Sequence, residues 1–568
     1  MEEINMKTKR FLALLLAVCM TLALAACGGS STTTTEPAAN SGSSNSGSSA
    51  SASAPADTSS ASGTKTVSVG ITTTQASIDP VNASDGFYVM LLGNILGGLY
   101  CVDDNNVLQM DLAESVDVSD DGLVYTFTLR DTKWSNGDPL TANDFVFAWR
   151  RLADPTSGTQ YAYLVEEANI KNGTAVAAGE MDPTELGVAA LDDKTFQVTL
   201  EIPTPYFESL TAFSPLCPLN EKFVTEQGRN FAMSKDNYIY SGPYMLSEWD
   251  VASNTISMVK NPNYWDAANV DVDQVNFQQI VDPQTGAMSY ENGDLDRVTI
   301  SGNLVSQYAT SPEFSSALGV FNWYIYFNED AVPNQKLRQA IGYSVDREAL
   351  TNNIMRDGSV PQYNLLMTGL YTDANGNDFN DACGDHYVVD KEKAKALWAE
   401  AQQEGAQDHL VLTYEEDTAI VSNVAAFVQS EIETTLEGFT VELQCIPKSN
   451  RIENMQNGNY EAALHRWGPD YSDPSCIMAL YTSNSPYNYT NWADAEFDAM
   501  NTECSTTLVL DNEARWNKYI EAEHRVMDAA VSVPLYQVAE AVLNRSTVHG
   551  ITNHLTGVSC YYKFVTVD

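Results

Sequence analysis

Basic residues are scarce in this chain. Thirty Lys and Arg stand against 75 Asp and Glu in 568 residues, giving a formal charge of −45. A surface of that sign repels phosphate backbones, so no nucleic-acid partner is expected. Nucleotide and hydrolase signatures are absent as well: there is no G-x-x-x-x-G-K-[ST], H-E-x-x-H, G-x-S-x-G or G-x-G-x-x-G. Six His show no ligand spacing, and His549 and His554 read as exposed. Nine Cys include no C-x-x-C pair, which argues against zinc ribbons and redox motifs. With Cys19 and Cys27 set aside, seven remain, an odd number, so mostly buried free thiols are expected. Asp373–Asp378 imitates a calcium loop, but Gly376 falls too early and Gly384 stands where the terminal Glu is required. Carboxylate pairs are inevitable in so acidic a chain and carry no argument for a glycosidase. No cofactor or metal is called for.

Long apolar runs are also few. Phe11–Leu24 follows the basic start Met6-Lys7-Thr8-Lys9-Arg10 and is too short to span a bilayer permanently. It ends in Leu24-Ala25-Ala26-Cys27-Gly28, which resembles the lipobox of bacterial lipoproteins. The resemblance implies a signal peptide over 1–26 and acylation of Cys27, hence an anchor on the outer face of a bacterial membrane. Residues 27–64 are nearly all Ser, Thr, Gly, Ala and Pro. They cannot bury a core and read as a tether of roughly 35 Å.

Beyond that the chain has what a large core needs, with 44% hydrophobic and 10% aromatic residues. Thr66–Ile71 alternates as a strand, and Val116–Arg130 reads as a hairpin turning at Asp120-Asp121-Gly122. Thr141 with Asp144 forms a capping box ahead of the apolar stripe Phe145, Val146 and Trp149. Helical patterns cover 336–347, 392–404, 419–436 and 513–530, and strands follow at 439–446 and 533–536. Tyr240-Ser241-Gly242-Pro243-Tyr244 is a tight turn whose Gly242 permits close backbone approach. In Phe321–Asn328 one face (Phe321, Trp323, Ile325, Phe327) is core. The other (Asn322, Tyr324, Tyr326, Asn328) suits either a cleft wall or a solvent edge.

The candidate site is Arg466-Trp467-Gly468-Pro469-Asp470-Tyr471-Ser472-Asp473-Pro474. Gly-Pro and Asp-Pro keep this stretch out of a regular helix. A carboxylate held there beside an indole can receive an ammonium group. Taken alone, the same residues would also serve as a turn-rich connector.

Several stretches, in order along roughly 65–568, resemble the extracellular solute-binding proteins of the oligopeptide and dipeptide ABC-importer family. They are Ile78-Asp79-Pro80, Lys133-Trp134-Ser135-Asn136-Gly137-Asp138-Pro139-Leu140-Thr141-Ala142-Asn143-Asp144-Phe145, Asn261-Pro262-Asn263-Tyr264-Trp265, Lys336–Arg347 and the Trp467–Pro474 run. The resemblance implies an α/β, two-lobed, class II periplasmic-binding-protein fold with an extra third lobe. Lobe I would take 65–97, 219–320 and 536–568, the extra lobe 98–218 and lobe III 321–535. It implies a monomeric, non-enzymatic receptor that captures oligopeptides in a cleft and passes them to the permease and ATPase of an importer. Asp470 would meet the peptide α-ammonium. Trp467, Gly468, Arg466, Tyr161, Ser84, Gly242, Tyr324 and Tyr536 would border the ligand, with Tyr161 open to a core role. Where many relatives carry an Arg this chain has Leu464, with Arg466 the nearest. The same fold also serves nickel chelates, haem and oligosaccharides, or peptide sensing.

Overall fold

Alternation in Thr66–Ile71 buries Val67 and Val69 and makes this strand part of one large mixed sheet. The computed structural model describes residues 64–72, 77–83, 85–159, 161–249, 255–415 and 419–568. The expected signal peptide, Cys27, nearly all of the expected tether and Ser84 therefore lie outside the described residues. Ten strands of the sheet run in the spatial order Thr440–Ile446, His409–Glu415, Ala462–Trp467, Phe314–Phe327, Ser532–Asn544, Arg297–Ile300, Thr66–Ile71, Gln274–Gln279, Thr255–Lys260 and Tyr244–Glu248. Val360–Pro361 pairs alongside, on Ser532–Asn544.

Two long antiparallel strands, Phe314–Phe327 and Ser532–Asn544, tie the sheet together. At one end Phe314, Ala541 and Leu543 pack with Tyr290, Val298 and Ile300. At the other, Trp323–Phe327 and Val533–Tyr536 belong to a separate core built from residues between 323 and 536. The ladder between these strands lapses from Leu318 to Asn322, just where the two cores part, and slips again between Trp323 and Tyr324. Pro534 sits opposite Tyr324 at the second slip. A bulge is where a strand tolerates a residue without an N–H.

This central placement corrects the expectation for Phe321–Asn328. Neighbouring strands flank it on both edges and cores cover both faces, so Asn322, Tyr324, Tyr326 and Asn328 are as buried as Ile325. Tyr324 donates to the Leu365 carbonyl at 2.6 Å. Alternation tells which side chains share a face, not whether that face meets solvent.

A four-stranded antiparallel sheet stands apart, in the order Ala113–Val118, Val124–Leu129, Thr195–Thr199, Val188–Ala190. Helix Ala142–Ala153 covers it, with Phe145 and Trp149 against Phe196 at 5.3 and 5.1 Å. The expected capping box is present, and the Thr141 N–H donates to Asp144 at 2.8 Å. The Trp134 indole donates to the same carboxylate, tying the start of this stretch to the helix cap. The Asn261–Trp265 run is similarly structural: the Tyr264 hydroxyl and the Trp265 indole both donate to buried Asp111. Seven described thiols are free; all but Cys445 are buried. His554 is buried, its Nδ1 at 2.8 Å from the Asn106 side-chain oxygen, which corrects its reading as exposed.

Candidate functional site

Ala462–Trp467 leaves the sheet at Gly468-Pro469, and a short helix begins at Ser475. The loop between them is held by its second aspartate. Asp473 takes a two-pronged contact from Arg515 at 2.7 and 2.6 Å, both groups nearly buried, and accepts the Ser475 N–H and hydroxyl. Arg515 also donates to the Cys504 carbonyl and the Tyr519 hydroxyl. The Asp470 N–H points back to Cys476 Sγ at 3.3 Å. The loop is thus anchored without help from the Asp470 carboxylate.

That carboxylate faces the 161–167 segment. Burial raises the Asp470 carboxyl to about 6, and the Tyr163 hydroxyl lowers it in part. Glu167 is raised to about 7 by burial and by the charge of Asp470. Tyr161 is pushed up to about 12 by burial, then by Asp470 and Asp85. Tyr471 stacks on Tyr206 at 4.0 Å and 10°, and donates to Glu167 at 3.2 Å. Trp467 meets Tyr487 edge to face at 5.5 Å, and Tyr487 in turn feels the charges of Glu167 and Asp470. Two carboxyls therefore share a tyrosine-rich pocket, and among the described residues no Lys, Arg or His forms an ion pair with either. Three positions away, Asp473 has its full complement from Arg515. A cavity of about 490 Å³ opens beside Asp470, between Tyr206, Gly369 and Gly557. A second, of about 680 Å³, adjoins it past Pro205, Leu370 and Asp473.

The other expected residues fall in different places. Tyr161 donates to the Ala83 carbonyl at 3.0 Å and packs edge to face on Phe213, so it is a core residue that also borders Asp470. Arg466 lies over the Phe321 ring at 4.6 Å and near Trp323. Tyr536 stacks on Trp323, so Arg466 and Tyr536 form a second cluster. Gly242 is corrected: its Cβ-less approach is to the protein itself, where an added carbon would lie 2.7 Å from the Asn94 carbonyl. Tyr324 is fully buried, as above. Glu167, Tyr163, Tyr206 and Tyr487 carry no role in the sequence reading, and Tyr471 enters it only as part of the loop. Asp79, in one of the stretches that carry the resemblance, holds Arg151 through both carboxylate oxygens at 2.8 and 2.6 Å.

The charge imbalance has a measurable cost. Asp470 and Glu167 hold protons in the folded chain at pH values where the unfolded chain has released them, so stability without ligand falls as pH rises from about 4 to 7. Glu523, raised to about 8, and Asp144, raised to about 6, both by burial, add to the same slope. Thermal melts across that range are expected to show it, and Asp470→Asn to remove its own share. A slope identical in the variant would mean that Asp470 ionises freely.

A family profile of the bacterial extracellular solute-binding proteins, family 5 (middle), matches residues 107–489. A dipeptide-binding protein of Lactococcus lactis is 32% identical over 508 residues, covering 86% of this chain and 92% of that protein. Among solved structures, Listeria monocytogenes OppA bound to peptide superposes with a TM-score of 0.73 at 32% identity, covering 89% of this chain and 99% of that one. The substrate-binding domain of an oligopeptide ABC transporter from Bacillus anthracis gives 0.74 at 34%, over 88% and 98%.

Proposed function

Because the chain belongs to the bacterial extracellular solute-binding proteins of family 5, it is a binder and not an enzyme, and we propose that its solute is a peptide held by its free amino terminus. Its fold is the class II α/β fold of those proteins. The uncompensated pair Asp470 and Glu167 carries the reading. An α-ammonium placed there supplies the cation that the protein withholds, and closure around it strengthens the contact by excluding water. Trp467, Gly468, Tyr163 and Tyr487 surround that position, while the cavities of about 490 and 680 Å³ offer side-chain room. Constant features of a peptide are its backbone and termini, so such a receptor reads those and leaves side chains loosely seated in wet pockets.

In this reading the ligand lies in a cleft between lobe I (65–97, 219–320, 536–568) and lobe III (321–535), with 98–218 as an extra lobe whose Tyr163 and Glu167 face Asp470. The protein is a monomer anchored through acylated Cys27 on the outer membrane face. It delivers peptide to the permease and ATPase subunits of an ABC importer. Relatives named for dipeptides and oligopeptides support that delivery role.

Calorimetric titration with one peptide in two forms tests the reading. The free-amine form is expected to bind roughly 30-fold or more tightly than its N-acetylated twin, the difference that an unpaired buried carboxylate brings. Affinity for the free amine is expected to fall as pH drops below about 6, because the Asp470 carboxyl is then protonated. Equal affinity for both forms would discard the amino terminus as the recognised group.

A further inference from the structure

We propose that Cys383, His386 and His524 form a binding site for a divalent late first-row cation, zinc foremost. One ligand atom from each of the three residues lies within 4.8 Å of the other two. Cys383 Sγ and His386 Nε2 are 3.9 Å apart. Sulfur and nitrogen on one tetrahedral zinc are separated by about 3.6 Å, from bond lengths of about 2.3 and 2.1 Å. For that pair the fit needs only a small inward shift.

Local structure explains the meeting. Helix Phe379–Cys383 ends at Gly384, whose φ of 81° turns the chain back so that His386 faces the same sulfur. His524 comes from helix Asn512–Ala529, and its Nε2 is 3.0 Å from the Cys383 carbonyl, a contact that orients the ring toward this loop. His386 and His524 rings lie 5.1 Å apart. Cys383 is buried, His386 half-buried and His524 exposed, so a cation can enter from solvent and keep water in a fourth position. Asp528, one turn beyond His524, places a negative charge near His386.

One thiolate with two imidazoles is the donor set of a borderline-soft ion, not of calcium or magnesium. Binding forms one metal–sulfur and two metal–nitrogen bonds, and the Cys383 thiol proton leaves to solvent. The product is a staple between loop and helix. Both border the cavity of about 680 Å³, through Ala382 on one side and Trp516 and Ile520 on the other.

The test uses the full chain, stripped with chelator and then titrated with Zn²⁺ or Co²⁺. One zinc per chain is expected to survive gel filtration, and cobalt to show a near-ultraviolet sulfur charge-transfer band with tetrahedral visible bands. Cys383→Ser is expected to abolish the charge-transfer band. His524→Ala, at an exposed position, is expected to weaken zinc by at least the roughly 10–100-fold that losing an outer-shell partner brings, with peptide affinity unchanged. Cys445→Ser, at the exposed thiol, leaves every signal intact. No zinc retained by the wild-type chain, or retention and cobalt spectra unaltered in both the Cys383 and His524 variants, overturns the site.

Discussion

Replacing Asp470 with asparagine is expected to weaken binding of a free-amine peptide by about 30- to 5,000-fold, the range that follows from about 2–5 kcal/mol for removing one partner of a desolvated charge pair. The fold survives the change, because Arg515 and Cys476 hold the loop independently of this carboxylate. The ligand-free variant is expected to be at least as stable as the parent at pH 7, since a buried and unpaired charge has been removed. Loss of affinity with no loss of stability marks a binding group. Against the N-acetylated peptide the variant and parent are expected to differ little, since neither then makes the ion pair. Free-amine affinity within twofold of the parent would remove Asp470 from the proposed mechanism and leave Glu167 as the remaining acceptor.

The second large effect is on stability. Arg515→Met leaves Asp473 ionised, buried and without its cation, at a cost of about 3–5 kcal/mol. Urea unfolding followed by tryptophan fluorescence measures it. The paired replacement Arg515→Met with Asp473→Leu is expected to recover much of that loss, because both desolvated charges vanish together. A single variant less than about 1 kcal/mol below the parent would show that solvent reaches the pair. Since the Asp473–Arg515 contact sets the course of the loop, the single variant is also expected to weaken peptide binding.

How much of this was legible in the sequence depended on whether the information was local. The capping box at Thr141 and Asp144, the hairpin before it and the strand Thr66–Ile71 were readable because each is set by residues a few positions apart. The Asp470 loop was readable because prolines on either side advertise an irregular backbone. What was not readable is which of its two aspartates is already neutralised. That depends on Arg515, 42 positions from Asp473, and one arginine in a helix looks like any other. Glu167 stayed hidden for the opposite reason: in a chain with 75 acidic residues one carboxylate carries no signal until the fold sets it beside Asp470. Tyr324 shows the limit of periodicity. Its alternation was read correctly, but the strand beside each edge and the core over each face come from distant segments. Cys383 and His386 stand only three positions apart, but His524, 141 positions from Cys383, joins them only once a helix and a loop meet.

Stiffness is uneven along the two long strands that cross the sheet. Between Leu318 and Asn322 the paired ladder lapses, and the side chain of Gln537 reaches across the gap to donate to the Gly319 carbonyl. Flexing there unpacks neither core, whereas flexing on either side would disturb ladder bonds and buried side chains together. Compliance is therefore concentrated in a few residues, as in a strip of metal scored across its width.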